Sequence, residues 1–222
     1  MPGCRLMLDL DFQVLEIAAL THAAVPTLRF QLGIGQRRSS AAIQSIALQC
    51  QIRIDAPRRT YQAAEKARLS DLFGEPDRWS RSLQSMLWTH ASVVVPGFDG
   101  ERTQVELPVP CSFDFNLAAT KYFHGLEQGD VPLLLLFSGS VFLRDDSGAL
   151  KMEMLPWSSE TRASLPIAAW RELMAHYYPN SVWLSVRQPV FDALYEYKRR
   201  HGFTGFDEAL SSLLAQQTAL AS

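Results

Sequence analysis

The side chains in this sequence best suited to moving a proton or holding a metal are its histidines and cysteines. The histidines are His22, His90, His124, His176 and His201, and no two of them stand two or four residues apart. A metal centre needs donors that converge, and this spacing offers no convergence. The cysteines are Cys4, Cys50 and Cys111, an odd and sparse set that argues against a disulfide framework or a closed zinc site. Cys50 and Cys111 fall in rows of large aliphatic and aromatic neighbours, where a thiol behaves as a small hydrophobe. A cysteine nucleophile needs an electropositive partner, and none sits at fixed spacing from either. Trp88 and His90 lie together in LWTHASVVV, read as one strand face, and Lys121 and His124 lie on the outward side of a short helix. Trp88, His90, Lys121 and His124 are therefore the candidate binding residues. His90, Lys121 and His124 would be the first members of any catalytic site. No metal and no cofactor is expected, and the reading leans away from an enzyme.

The remaining motifs point the same way. No GxxxxGK, GxGxxG or GxSxG occurs, so neither a phosphate cradle nor a nucleophile elbow is written into the chain. Asp145-Asp146 belongs to a hairpin tip, where aspartate serves turn chemistry rather than acid–base work. The 222 residues carry a formal net charge of −2 and are 47% hydrophobic, enough to bury a sizeable core. Nothing basic enough to hold nucleic acid appears, because Arg37-Arg38 and Arg58-Arg59 are isolated pairs. The start, MPGCRLMLDLDF, lacks the apolar run of a signal peptide, so the expected compartment is the cytoplasm. The apolar run VPLLLLFSGSVFL is too short to span a membrane and is broken by Gly139.

Period-two alternation dominates the first two thirds. Apolar residues fill every second place from Val105 to Leu117, which predicts one long half-buried strand. Thr27–Ile34 and Ile46–Ile54 alternate as cleanly, and GQRRSS between them reads as a hairpin loop. Leu10–Ile17 changes face near Val14-Leu15, which predicts a bulge. Residues 60–86 read as a helical insertion, with Thr60 as a helix cap and a second helix from Asp77 to Met86. Leu87–Val95 returns to strand, and Ala118–Leu126 has helical spacing. Asp145–Gly148 reads as the turn between Val141–Leu143 and Leu150–Leu155. From Pro156 onward the chain reads as helical, with buried stripes at Ile167, Trp170 and Met174, at Val190, Leu194 and Tyr197, and at Leu210, Leu213 and Leu214. The predicted fold is one α+β domain over 9–222. An antiparallel β-sheet or sandwich fills 9–155, and C-terminal helices from 156 pack on it.

The strings LQCQIRI, LFGEPDRW, LWTH, VPGF, PVPCSFDFNLAATKYFHGL, VPLLLLFSG and PNSVWL resemble an uncharacterised bacterial family associated with gene clusters for actinobacterial-type NiFe hydrogenases. The resemblance covers nearly all of residues 9–215. It implies a setting, hydrogenase assembly or a partner of the mature enzyme, and it carries no catalytic residues. In layout, early strands followed by a helix and an apolar strand are also similar to the export chaperone SecB. This chain departs from SecB in its 56–86 insertion, its helical tail and its lack of a strongly acidic balance. The expected function is that of a non-catalytic, chaperone-like accessory or binding protein whose partner is a hydrogenase subunit or maturation factor. The competing readings are an enzyme with an unrecognised site and a stable subunit of a hydrogenase complex. Thiol titration of the denatured, unreduced protein should count three; a count of one would mean a disulfide and overturn the cytoplasmic expectation.

Overall fold

A computed structural model describes residues 9–36, 42–111, 117–144, 148–182 and 184–220. The expectations placed on Cys4, Arg37-Arg38, Ser112–Asn116, Asp145–Ser147 and Trp183 lie outside those residues. The chain divides into two compact units, Met1–Ser181 and Val182–Ser222.

The first unit is an antiparallel sandwich. One sheet orders β1 (Leu10–Leu20), β2 (Thr27–Gln36) and β5 (Arg102–Pro110). The other orders β4 (Met86–Phe98), β3 (Ile43–Ile54) and β6 (Asp130–Arg144). The outer side of β6 is shared end to end by β8 (Glu160–Pro166) and β7 (Leu150–Met154). The alternating residues read from the sequence form the inner faces. Leu28, Phe30 and Leu32 of β2 and Leu48, Cys50 and Ile52 of β3 are all buried. The sheets meet through Phe12 stacked on Phe137, ring centroids 4.3 Å apart, and through Phe30 tilted onto Trp88 at 6.4 Å. Leu15 is the extra residue of a bulge in β1, as the change of face predicts.

Several expectations need correction. β2 and β3 are not a hairpin: β2 is already flanked by β1 and β5, so the chain crosses to the other sheet. The long alternating strand ends at Pro110, and Leu117 opens a helix, α4 (Leu117–Gly125). Residues 160–166 form β8 rather than helix. Their inward positions hold Thr161, Ala163 and only one large apolar residue, Leu165, so the strand signal is weak. Thr60 caps nothing. The cap of α1 (Ala63–Arg68) is Gln62, and the turn continues as α2 (Ser70–Phe73) to Gly74. The helix expected from Asp77 to Met86 is a 3-10 turn (Pro76–Arg78) running into α3 (Trp79–Ser82); it stops short of Met86, where β4 begins.

Gly139 marks the point where β6 passes from β8 to β7. Its φ is 148°, and a β-carbon there would strike the carbonyl of Ala47 on β3. Helix α5 (Ile167–Tyr177) packs on β1, β2 and β8 through the expected stripe of Ile167, Trp170 and Met174. The Tyr177 hydroxyl ties it to the carbonyls of Leu20 and Ala23. The α+β expectation therefore holds, with an antiparallel sandwich first and helices toward the C-terminus.

The second unit is a helical hairpin of α6 (Gln188–His201) and α7 (Phe206–Leu220). Gly202, in the left-handed conformation at φ 70°, ends α6. The helices meet through Phe191 and Phe206, centroids 5.5 Å apart, and through Tyr197 and Ser212, whose hydroxyls are 3.1 Å apart. Val190 is exposed and Leu194 only half-buried, so the buried stripe expected of α6 is not formed.

The alternation predicts a sharp asymmetry between faces. Phe30→Ala should cost about 3–5 kcal/mol. Gln31→Ala, on the outward face, should cost under about 1 kcal/mol. Equal losses in urea unfolding would mean that β2 is covered on both sides.

Candidate functional site

The most heavily buried charged group among the described residues is Glu65, 1% exposed, where the helical insertion meets the sandwich. Glu65 is the third residue of α1, and one of its oxygens accepts the backbone N–H of Gln62 at 3.1 Å. Its other oxygen accepts the backbone N–H of Glu127 at 2.9 Å and a guanidinium N–H of Arg59 at 2.8 Å. The Arg59 side chain is 7% exposed, and it also donates to the carbonyls of Gln128 and Asp130. Its Nε is buried without a hydrogen-bond partner among the described residues. Tyr61 lies beneath the guanidinium, 5.7 Å from ring centre to charge. Its hydroxyl donates to the Ala56 carbonyl and accepts from Tyr122, each at 2.8 Å. A cleft of about 600 Å³, lined by Arg58, Thr60, Gln128 and Asp130 among others, opens above this network.

The electrostatics of the network are those of a lock. Burial alone would raise the Glu65 carboxyl, but the N–H groups of Glu127 and Gln62 together with Arg59 hold it below the usual carboxylate value of 4.5. Burial pushes the Tyr61 phenol up to about 12 and drives Tyr122 further up still. Glu65 therefore stays charged and both phenols stay neutral across the physiological range. None of the three has a proton to exchange near pH 7. Burial also lifts the thiols of Cys50 and Cys111 to about 12, which keeps them unreactive in the folded protein.

The four residues singled out from the sequence are not brought to one place. Trp88 is buried, wedged between Phe30 and Phe123. His90 points out of the opposite face of its sheet. The two do not share a face, because the β3–β4 register jumps from Ile52↔Thr89 to Arg53↔Leu87 and leaves Trp88 as a bulge. Lys121 and His124 lie on the exposed side of α4, as expected. Lys121 pairs with Asp71 at 3.6 Å, an exposed contact of little energetic consequence. His124 meets the edge of Trp170 at 5.1 Å. Burial and then the charge of Arg171 hold its imidazole below the ordinary value, so it is neutral at pH 7. Among the described residues, no three His, Cys, Asp or Glu side chains converge on a metal position, and no helix is long and apolar enough to cross a membrane.

The sequence profile of a family of unknown function, DUF6084, matches residues 7–222. The chain belongs to the DUF6084 family. No curated sequence matches it. Among solved structures it is similar to one described as a candidate late embryogenesis abundant protein. That similarity has 12% identity and a TM-score of 0.34, covering 74% of this chain and 75% of the other. It is also similar to one described as a candidate ApaA protein of Bordetella pertussis. There the identity is 10% and the TM-score 0.24, with 72% and 95% covered. Likenesses this distant leave function to the DUF6084 chain's own surface.

The outer face of the larger sheet of this DUF6084 protein carries one group of exposed apolar side chains; others, such as Val182, Leu184, Val190 and Leu214, lie on the helical unit. Val94, Ala47, Ser140 and Met154 lie side by side across four strands, with Pro96, Ser45, Phe142 and Met152 in the next row. Val94 is 67% exposed, Met152 59% and Met154 63%. Leu150 extends the row, and Trp157, just beyond β7, is 95% exposed. His90 stands on the same face as Val94, at the end where Gln51 and Glu160 make the surface polar.

The Glu65 lock gives a pH prediction with a definite sign. A depressed carboxyl contributes stability that is fully present above about pH 4.5 and is lost as pH falls through its folded value. Glu65→Gln should be less stable than the parent at pH 7, and the gap should narrow as pH drops below about 4.5. Arg59→Ala, which strands the buried carboxylate, should cost about 3–5 kcal/mol at pH 7. Chemical denaturation across pH checks both; a gap that does not change with pH would mean that the carboxylate is not held by charge.

Proposed function

We propose that this protein is a non-catalytic accessory protein that binds another protein chain on the outer face of its larger sheet. The observation that carries the reading is that Leu150, Met152 and Met154 of β7 and Val94 of β4 stand exposed on one sheet face, with the exposed Trp157 following β7 in sequence. Large apolar side chains exposed together on one sheet face mark protein contacts. Binding of this kind needs no diagnostic catalytic motif, in keeping with buried ionisable groups that are locked into internal pairs. His90 supplies the polar margin of the patch. Trp88 supports α4 from beneath through Phe123, and Lys121 and His124 form a separate rim. The class of partner, a hydrogenase subunit or maturation factor, rests on the resemblance carried by LQCQIRI, LFGEPDRW and PVPCSFDFNLAATKYFHGL.

Affinity capture from cells expressing a whole NiFe hydrogenase cluster tests the reading. The parent should retain a hydrogenase large subunit or maturation factor, identified by mass spectrometry. Val94→Asp and Trp157→Ala should each lose it without lowering the melting temperature, and Lys121→Glu should keep it. Retention by Val94→Asp with loss in Lys121→Glu would move the contact to the α4 rim. Failure of the parent to retain any hydrogenase component would sink the assembly role.

A further inference from the structure

Strand β7 lies at the rim of the larger sheet, with β6 on one side and, among the described residues, no strand on the other. Its backbone polarity follows from one hydrogen bond. The N–H of Leu155 donates to the carbonyl of Gly139 at 2.9 Å. Residues of an antiparallel strand turn alternately toward and away from a given neighbour, so Glu153 and Lys151 also turn their N–H and C=O groups to β6. Leu150, Met152 and Met154 therefore turn theirs to the open side. An exposed edge of this kind is a template for another strand.

The sequence of that edge is complementary to itself. β7 reads Leu-Lys-Met-Glu-Met. Two copies laid antiparallel about Met152 place Met152 opposite Met152 and Leu150 opposite its partner's Met154. Lys151 then faces its partner's Glu153, and the reverse. The three apolar pairs fall at the positions whose backbone groups point outward, so they become the hydrogen-bonded pairs. The two charge pairs fall between them, where opposed side chains approach most closely. A parallel pairing in register would set Lys151 against Lys151 and lose the match. A lysine on an edge strand usually guards against pairing. Here the guard is cancelled by a glutamate two residues on, and the five residues carry no net charge.

We infer that two copies of this chain associate through β7, antiparallel about Met152, and join their larger sheets into one. The symmetry is isologous, so the contact closes after two copies and does not propagate. The apolar row of Leu150, Met152 and Met154 then runs unbroken across the two-fold axis, beside Phe142 from each copy. The second copy is chosen over a foreign strand because the charge order of β7 matches its own reverse.

Sedimentation equilibrium of the full chain over the micromolar range tests the pairing. The parent should show a concentration-dependent dimer. Lys151→Glu turns both charge pairs repulsive and should weaken the dimer by about tenfold or more. The double exchange Lys151→Glu with Glu153→Lys recreates the complement and should restore it. Met152→Pro removes an outward N–H while leaving the ladder to β6 intact, and should abolish the dimer without unfolding the chain. On a Cys4→Ser background, Met152→Cys should form an intermolecular disulfide under air, since hydrogen-bonded pairs place their α-carbons about 5.5 Å apart. Leu150→Cys should not. A parent that stays monomeric and fails to cross-link through Met152→Cys overturns the inference. So does a dimer indifferent to Met152→Pro, or one that the double exchange does not rescue.

Discussion

The carboxylate of Glu65 is the constraint on which the arrangement of this protein turns. It accepts hydrogen bonds from three places in the chain: Arg59 after β3, Gln62 at the start of α1, and Glu127 in the turn that leaves α4 for β6. Each donor belongs to a segment with little regular structure of its own. A buried charge is tolerated only when it is paired and hydrogen-bonded, so the three segments must be in place together or the carboxylate is left uncompensated. Arg59 extends the constraint to the carbonyls of Gln128 and Asp130, the doorway to β6. The start of β6 is thereby fixed against the end of β3, and that pairing forms the spine of the larger sheet.

Beneath this lock the packing is aromatic. Tyr61, Phe73, Trp79, Tyr122 and Phe123 meet largely edge to face, with centroids about 5–6 Å apart. Phe123 carries the contact on to Trp88 in the sheet and to Trp170 on α5. The insertion is therefore an integral wall of the core rather than an appendage on the sandwich. The division of labour follows. Interior polar groups are spent on holding the wall, and the outer sheet face keeps Met152, Met154 and Val94 exposed.

The strands were legible where alternation was strong. β2, β3 and the bulge of β1 lie where period two places them, because their inward residues are large and apolar. β8 was illegible for the opposite reason: Thr161 and Ala163 give its inward face almost no hydrophobic signal. Which sheet each strand joins could not be read, since alternation reports that a face is buried and not what buries it. The site was less legible still. Gln62 and Glu65 stand at capping-box spacing, a signal present in the chain, but nothing local shows that Arg59 and the Glu127 N–H, 68 residues apart in sequence, converge on one carboxylate. Trp88 and His90 look like neighbours on one face only until the bulge between them is known.

The pairing of β3 with β6 also sets a timetable. Ile54, at the end of β3, faces Leu133, and the two are separated by the insertion, two strands and α4. At common rates of synthesis the ribosome needs roughly 4 to 16 s to cover that interval. During that time β3 can pair with β4, but its other edge awaits a strand not yet made. Contacts of such long sequence separation place a domain among the slower folders. The newborn chain thus passes through an interval in which the strand between β4 and β6 is half-assembled, and the late arrival of β6, with the Glu65 lock at its doorway, is the event that ends it.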